Sequence, residues 1–407
     1  MNRIRKISFS PPDISDAEIE EVVKAMKSGW ITTGPRTKLF EQKIADYVGV
    51  SKAVCLSSAT TAMEITLRIL GVGPGDEVIT SAYTYTASAS VIHHVGAKIV
   101  FVDTAPDSYE MGYEQLAEAI TDKTKVIIPV DIGGVMCDYN KLFAVVGNKK
   151  HLYKPASKIQ YLFDRPIIMA DAAHSFGATY NGKKSGAVAD FSCYSFHAVK
   201  NLTTAEGGAA VWIDRDGLDN DWLYEQYQLY SLHGQNKDAA AKLKPGAWEY
   251  DVIFPAYKCN MTDLTAAFGL KQLERFDMLM ARRRQIAGIY DKTLIPLELQ
   301  RLIHDREDRQ GNYHLYLVRV PGITEEQRND IIVQMAEQGI ACNVHFKPLP
   351  MMTAYKNLGF DINNFPNAFK QYQNEITLPL HTLITKEEAE YIVKEFKESI
   401  IECMPSI

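Results

Sequence analysis

The chain has 407 residues, 46% of them apolar, 10% aromatic and 23% charged, with 44 basic against 50 acidic side chains and a net charge of −6. This length supports about two to three domains, and the apolar and aromatic content excludes a disordered chain. The acidic balance, with no basic stretch interleaved with aromatics, excludes nucleic acid as a partner.

The basic start, Met1 to Lys6, runs into Pro11, Pro12 and Asp13 in place of the apolar core of a signal peptide. Next comes a run of predicted elements. Residues 52–56 read as a strand, 60–70 as an amphipathic helix, and 77–80, 99–102, 126–130 and 166–170 as further strands. Fully apolar strands spaced by helices predict a mostly parallel sheet sandwiched by helices. Two more strands, 191–196 and 209–213, flank Lys200. Past about residue 285 the rhythm changes to a strand at 313–320, a helix at 325–338 and a helix from Thr385 to about 401. The expected architecture is therefore α/β: a large domain over 1–284 and a smaller C-terminal α+β domain over 285–407. The apolar run 126–136 is broken by Asp131 and falls short of the about 20 residues of a membrane span, so no membrane partner is expected. Cys55, Cys137, Cys193, Cys259, Cys342 and Cys403 form no CxxC pair, which predicts reduced thiols and a cytoplasmic protein without a metal site.

Three patterns are set aside. Gly71-Val72-Gly73-Pro74-Gly75 precedes a strand, whereas a dinucleotide fingerprint joins strand to helix. Residues 177–183 match most of a P-loop, but Lys184 stands where a hydroxyl must reach magnesium, and Asn181-Gly182 reads as a hairpin turn. His93 and His94 are adjacent, so on a helix they diverge by about 100° and cannot hold one metal.

The chemistry concentrates between Met169 and Gly208. Asp171 ends a buried apolar strand, where a carboxylate is costly unless it meets a cation or hydrogen-bond donors. In an open parallel sheet that end is where ligands bind. Lys200 follows the next strand amid Ser, His and Thr side chains. Pyridoxal 5'-phosphate (PLP) wants this pair, a lysine for its Schiff base and an acid on its pyridine nitrogen. Ser57 to Thr61 joins a strand to a helix, placing N–H groups and the helix dipole where a phosphate could sit; an ordinary N-cap is the plainer reading. An aromatic ring of Tyr83-Thr84-Tyr85 could stack on a pyridine, although packing is the commoner use.

In this order the pieces resemble the sugar aminotransferases of the DegT/StrS family, which have the aspartate aminotransferase-like fold (PLP fold type I). The match runs from Trp30-Ile31-Thr32-Thr33-Gly34-Pro35 through Asp171-Ala172-Ala173-His174 and Ser195-Phe196-His197-Ala198-Val199-Lys200 to Leu378-Pro379-Leu380-His381. The resemblance implies that Lys200 is the catalytic Schiff-base lysine and Asp171 the pyridine-nitrogen partner. It places His174 near the ring hydroxyl, Tyr85 on the ring face, and Thr60, Ser195 and the Ala59 backbone at the phosphate. In the family a second subunit completes the phosphate site, here through Lys258 or Asn260, so a homodimer with shared sites is expected. Ala59 stands where many members have glycine, and Lys258 where many have asparagine. The resemblance further implies a nucleotide-linked keto sugar as acceptor, L-glutamate as donor and ping-pong kinetics, in the making of an amino sugar for a surface glycan or natural product.

The family's sugar-dehydratase branch replaces the lysine with histidine; the presence of Lys200 favours transamination over that reading, and the complete cofactor constellation argues against a non-catalytic PLP-binding regulator, while a sugar dehydratase or a cyclitol aminotransferase stands as the alternative enzyme. Candidate substrate contacts are Trp30, Thr32, His233 and His345. The lysine-bearing stretch 148–158 reads as an insertion, a solvated surface loop before a grip on substrate phosphates.

Overall fold

Strands that are apolar along their whole length need cover on both faces, and they receive it. In the computed structural model, which describes residues 6–236 and 249–403, all five residues of the strand Ile167–Asp171 are buried. Successive side chains of a strand point to opposite faces. Ile167 and Met169 accordingly join one apolar cluster with the helix Ala59–Ile69, while Ile168 and Ala170 join another with the helix Pro35–Val48.

The seven strands lie in the spatial order Ala53–Leu56, Gly208–Trp212, Phe191–Ser195, Ile167–Asp171, Thr124–Ile128, Glu77–Ser81 and Lys98–Val102. All are parallel except Gly208–Trp212, which runs antiparallel to both neighbours. Its reversal brings its first residue to the edge where the parallel strands end.

A third apolar cluster gathers behind the last third of the chain, around the antiparallel strands Gln300–Arg301, Tyr316–Arg319 and Glu375–Leu378. The 19-residue helix Phe276–Leu294 carries the chain between cores, with Phe276 in the second cluster and Leu294 in the third.

The strand expected over 313–320 is shorter, Tyr316–Arg319. Tyr313 sits at φ +53, and the buried Arg283 guanidinium donates to the carbonyls of Tyr313, His314 and Leu380. Those carbonyls are therefore withdrawn from a ladder, and His314 is left free to turn toward the large sheet. Asn181-Gly182 does make the expected hairpin turn, between Thr179–Tyr180 and Lys183–Lys184. His93 and His94 end the helix Ala87–His94 exposed, and no metal-holding cluster exists among the described residues. None of the described helices is long and apolar enough to cross a membrane. The stretch 148–158 packs away from the ligand edge: Ser157 Oγ donates to the Leu70 carbonyl at 2.7 Å, and Lys154 pairs with Asp122 at 2.6 Å.

Candidate active site

A cavity of about 410 Å³ opens at the carboxyl ends of the parallel strands, next to the first residues of the antiparallel one. Its floor comes from strand ends. Asp171 and Ser195 terminate their strands, and Ser58, Ala59 and Thr60 follow Ala53–Leu56 into a helix. Ser58 caps that helix, its side chain accepting from the Thr61 N–H at 3.1 Å. The N–H groups of Ala59 and Thr60 have no acceptor within the helix, and both residues line the cavity. Gly208 permits this arrangement: a Cβ there would lie 2.3 Å from the Ser58 carbonyl carbon and 2.4 Å from the Ala59 nitrogen.

Asp171 is 5% exposed. It accepts from the Ser88 hydroxyl at 2.6 Å and from the Ala173 N–H at 3.2 Å. Burial raises its pKa above the ordinary carboxylate value, with the two hydrogen bonds and the charge of Lys200 acting the other way. Lys200 lies on the turn after Phe191–Ser195, its N–H bonded to the His197 carbonyl at 2.9 Å. Burial in the cavity lowers its ammonium pKa to about 8, against an opposing pull from Asp171. A carboxylate that burial has stripped of water, with only two neutral donors bonded to it, retains acceptor capacity for a cationic N–H. The donor set therefore fits the pyridine nitrogen of PLP, and the bare helix N-terminus fits its phosphate.

Three neutral histidines complete the walls. His174 Nδ1 accepts from the Gly133 N–H at 3.2 Å, so the ring proton sits on Nε2. Burial, then Lys200 and His345, push its pKa well below the ordinary value. The His314 ring packs 4.4 Å from His174 between centroids, and its Nδ1 meets Asn201 Oδ1 at 3.0 Å. Asn201 Nδ2 already donates to the Asn312 carbonyl, so Nδ1 of His314 is the donor. His345 is driven down to about 3, by burial first and Lys200 second. Tyr85, 61% exposed, stands in the wall with Phe346, ring centroids 6.1 Å apart.

Of the residues singled out from the sequence, Ala59, Thr60, Tyr85, Asp171, His174, Ser195, Lys200 and His345 meet in this one cavity. Trp30, Thr32, His233, Lys258 and Asn260 do not line it. These five form one patch instead, built on residues 257–263. The Asp263 N–H donates to the Thr32 carbonyl at 3.1 Å, and the His233 N–H donates to the Tyr257 carbonyl at 2.6 Å. Trp30 Nε1 donates to the Thr33 carbonyl, Asn260 Nδ2 to the Thr33 hydroxyl, and Lys258 Nζ to Asn260 Oδ1. The sequence reading missed His314, Phe346 and Phe9, which also line the cavity. They come from irregular segments with no motif around them; the one available hint was a histidine inside a predicted apolar strand.

Residues 12–397 match the model of the DegT/DnrJ/EryC1/StrS aminotransferase family. Among curated proteins, the spore coat polysaccharide biosynthesis protein SpsC of Bacillus subtilis is 34% identical over 403 residues, 97% of either chain. An uncharacterised protein of Methanocaldococcus jannaschii is 35% identical over 402 residues, 97% of this chain and 98% of its own. Spr1654 of Streptococcus pneumoniae, assigned as a sugar aminotransferase, has been solved in its pyridoxamine phosphate form. It superposes with a TM-score of 0.96 at 53% identity, over 98% of this chain and 100% of that one. Its PLP form superposes with a TM-score of 0.95 at 51% identity and the same coverage. The fold, the cofactor-shaped cavity and these likenesses agree: the chain belongs to the DegT/DnrJ/EryC1/StrS family and is a PLP-dependent aminotransferase.

Proposed function

We propose that the protein moves an amino group from L-glutamate to a keto sugar carried on a nucleoside diphosphate, as a cytoplasmic homodimer with shared sites. The observation that carries this reading is the convergence of Lys200, Asp171, His174 and the helix start at Ala59 and Thr60 in one cavity. Bound PLP supplies an aldehyde that exchanges amino groups and a ring that withdraws electrons from the reacting carbon.

The chain's own groups do the rest. Lys200 would hold the cofactor covalently, and its freed amine would move the proton at the donor's α-carbon. With a pKa of about 8, roughly a tenth of it is neutral at pH 7, against well under a thousandth for an unperturbed lysine. Asp171 keeps a proton on the ring nitrogen through charge-assisted hydrogen bonding. His174, protonated on Nε2, would donate toward the ring hydroxyl, and Tyr85 would cover the ring face. Ala59, Thr60 and Ser195 hold the phosphate.

The patch carrying Trp30, Thr32, His233, Lys258 and Asn260 serves the partner subunit's cavity, which accounts for its gathering on one surface outside the cavity of its own chain. Lys258 or Asn260 then reaches the partner's phosphate, while His345 meets the sugar in its own cavity. A keto-sugar acceptor draws support from the relatives. SpsC is named for polysaccharide synthesis, and Helicobacter pylori PseC, 26% identical with a TM-score of 0.82, is an aminotransferase of pseudoaminic acid synthesis. We assign the large cofactor-binding domain to residues 1–284 and the small one to 285–407; the third core supports a second domain, although Ile7 joins that core and Leu315, Leu349 and Tyr372 join the first.

The test is an absorbance spectrum of the purified protein with PLP, before and after L-glutamate. Conversion of the bound-cofactor band to the pyridoxamine form establishes the donor half-reaction. A band that glutamate leaves unchanged rejects glutamate as the donor.

A further inference from the structure

Behind His345 stands a carboxylate that the proposed reaction does not use. Glu375, on the strand Glu375–Leu378, is fully buried. Its Oε2 accepts from the His345 backbone N–H at 2.8 Å, and its Oε1 accepts from the Thr377 hydroxyl at 2.6 Å. Thr377 Oγ1 lies 2.9 Å from His345 Nδ1. The residue is held from other sides as well: its imidazole stacks on Phe9 at 5.6 Å and 19°, and its backbone carbonyl accepts from the Tyr83 hydroxyl at 2.6 Å. The charged and titratable groups facing Glu375 are Arg319, Arg328, Tyr83, Tyr109, Cys342 and His345. The two arginines pair elsewhere, with Asp107 at 3.2 Å and Glu325 at 3.6 Å.

A hydroxyl carries one hydrogen. While Glu375 is ionised, Thr377 spends that hydrogen on Oε1, so Nδ1 of His345 must be the donor to Oγ1, and Nε2 is left bare. When Oε1 is protonated, it donates to Thr377, whose hydroxyl turns to Nδ1, and the ring proton belongs on Nε2. We infer that Glu375, acting through Thr377, is a positioning residue that decides whether His345 presents a hydrogen-bond acceptor or a donor at Nε2. The trio can also carry a proton. One taken up at Nε2 releases the Nδ1 proton to Thr377 Oγ1, whose own hydrogen passes to Oε1, so the ring ends neutral and Glu375 protonated. Burial holds Glu375 up at about 8 and His345 down at about 3, so the carboxylate, not the ring, stores that proton. That this acceptor or donor meets the sugar rests on the proposed function.

The test follows the imidazole nitrogens by NMR in the PLP-loaded full chain, 15N-labelled at histidine, from about pH 6 to 10. The His345 signals are assigned by their loss in His345→Gln. The wild type should pass from the Nε2–H to the Nδ1–H form as pH rises through about 8. Glu375→Gln, whose amide donates permanently to Thr377, should hold the Nε2–H form throughout. Thr377→Val should abolish the switch, and Thr377→Ser, which keeps the hydroxyl, should restore it. A wild-type ring locked in one tautomer overturns the inference, as does a switch that persists in Thr377→Val. The readout needs no turnover, so failure of glutamate to change the cofactor spectrum would reject the proposed function and leave this result standing.

Discussion

The floor and the far wall of the cavity are built by different rules. Asp171, Ser195, Thr60 and Lys200 sit at or just past the ends of buried strands, so a strand and its next few residues are enough to place them. His314, His345 and Phe346 stand in irregular segments of the last third of the chain, held by contacts over long sequence separations. His314 is placed by Asn201 and Arg283, and His345 by Glu375, Thr377 and Tyr83. The floor therefore shows what local sequence can specify, and the wall what it cannot. The seam between them is Asn312, 1% exposed, which donates to the carbonyls of His174 and Phe176 and accepts from the His314 N–H.

The comparison breaks most readily at Lys200. Lys200→Ala should lower transamination by roughly 10³-fold or more, as expected for loss of the covalent anchor and the proton carrier together. Wild-type turnover in that variant would remove the floor from the chemistry. At the seam, Asn312→Ala leaves two buried carbonyls and an N–H without partners, at a cost of about 3 kcal/mol or more. Urea unfolding measures it, and an unchanged midpoint would mean that floor and wall are held together by other contacts.

The pH dependence of the floor follows from burial. An amine whose pKa is lowered to about 8 becomes neutral, and reactive toward an aldehyde, as pH rises past that value. PLP loading into cofactor-free protein should accelerate about tenfold per pH unit below 8 and level off above it. Stopped-flow absorbance reads this, and a rate still climbing past about pH 10 would show Lys200 to be unperturbed. The smallest effect belongs to the cap. Ser58→Ala should cost about 1 kcal/mol and weaken PLP binding by loosening the helix start, measured by denaturation and by cofactor titration.

Much of the floor was legible in the sequence because its signals are local. Apolar strands of even length, Asp171 at the end of one, and Lys200 a few residues beyond the next need only a strand–loop period to interpret. Element ends shifted by a residue or two, as at Thr124–Ile128 against the expected 126–130. The larger shift was at 313–320, where the strand is only Tyr316–Arg319, because a buried arginine on a distant helix claims the carbonyls of Tyr313 and His314. His314, and the hydrogen bonds that tie His345 to Thr377 and Glu375, stayed invisible for the same reason: isolated side chains carry no pattern until folding brings them within 3 Å of a partner.

The sequence by itself determined the α/β layering, the strand-end location of Asp171 and Lys200 and the family to which the chain belongs, because hydrophobic period and contiguous motifs are written along the chain. Only the tertiary structure decided that Trp30, Thr32, His233, Lys258 and Asn260 gather in a patch apart from the cavity, and which ring nitrogens of His174 and His314 carry the proton. Apart from the local Trp30–Thr33 and Lys258–Asn260 bonds, those outcomes depend on hydrogen-bond partners tens to hundreds of residues away, and the direction of a hydrogen bond exists only once both its ends have been placed.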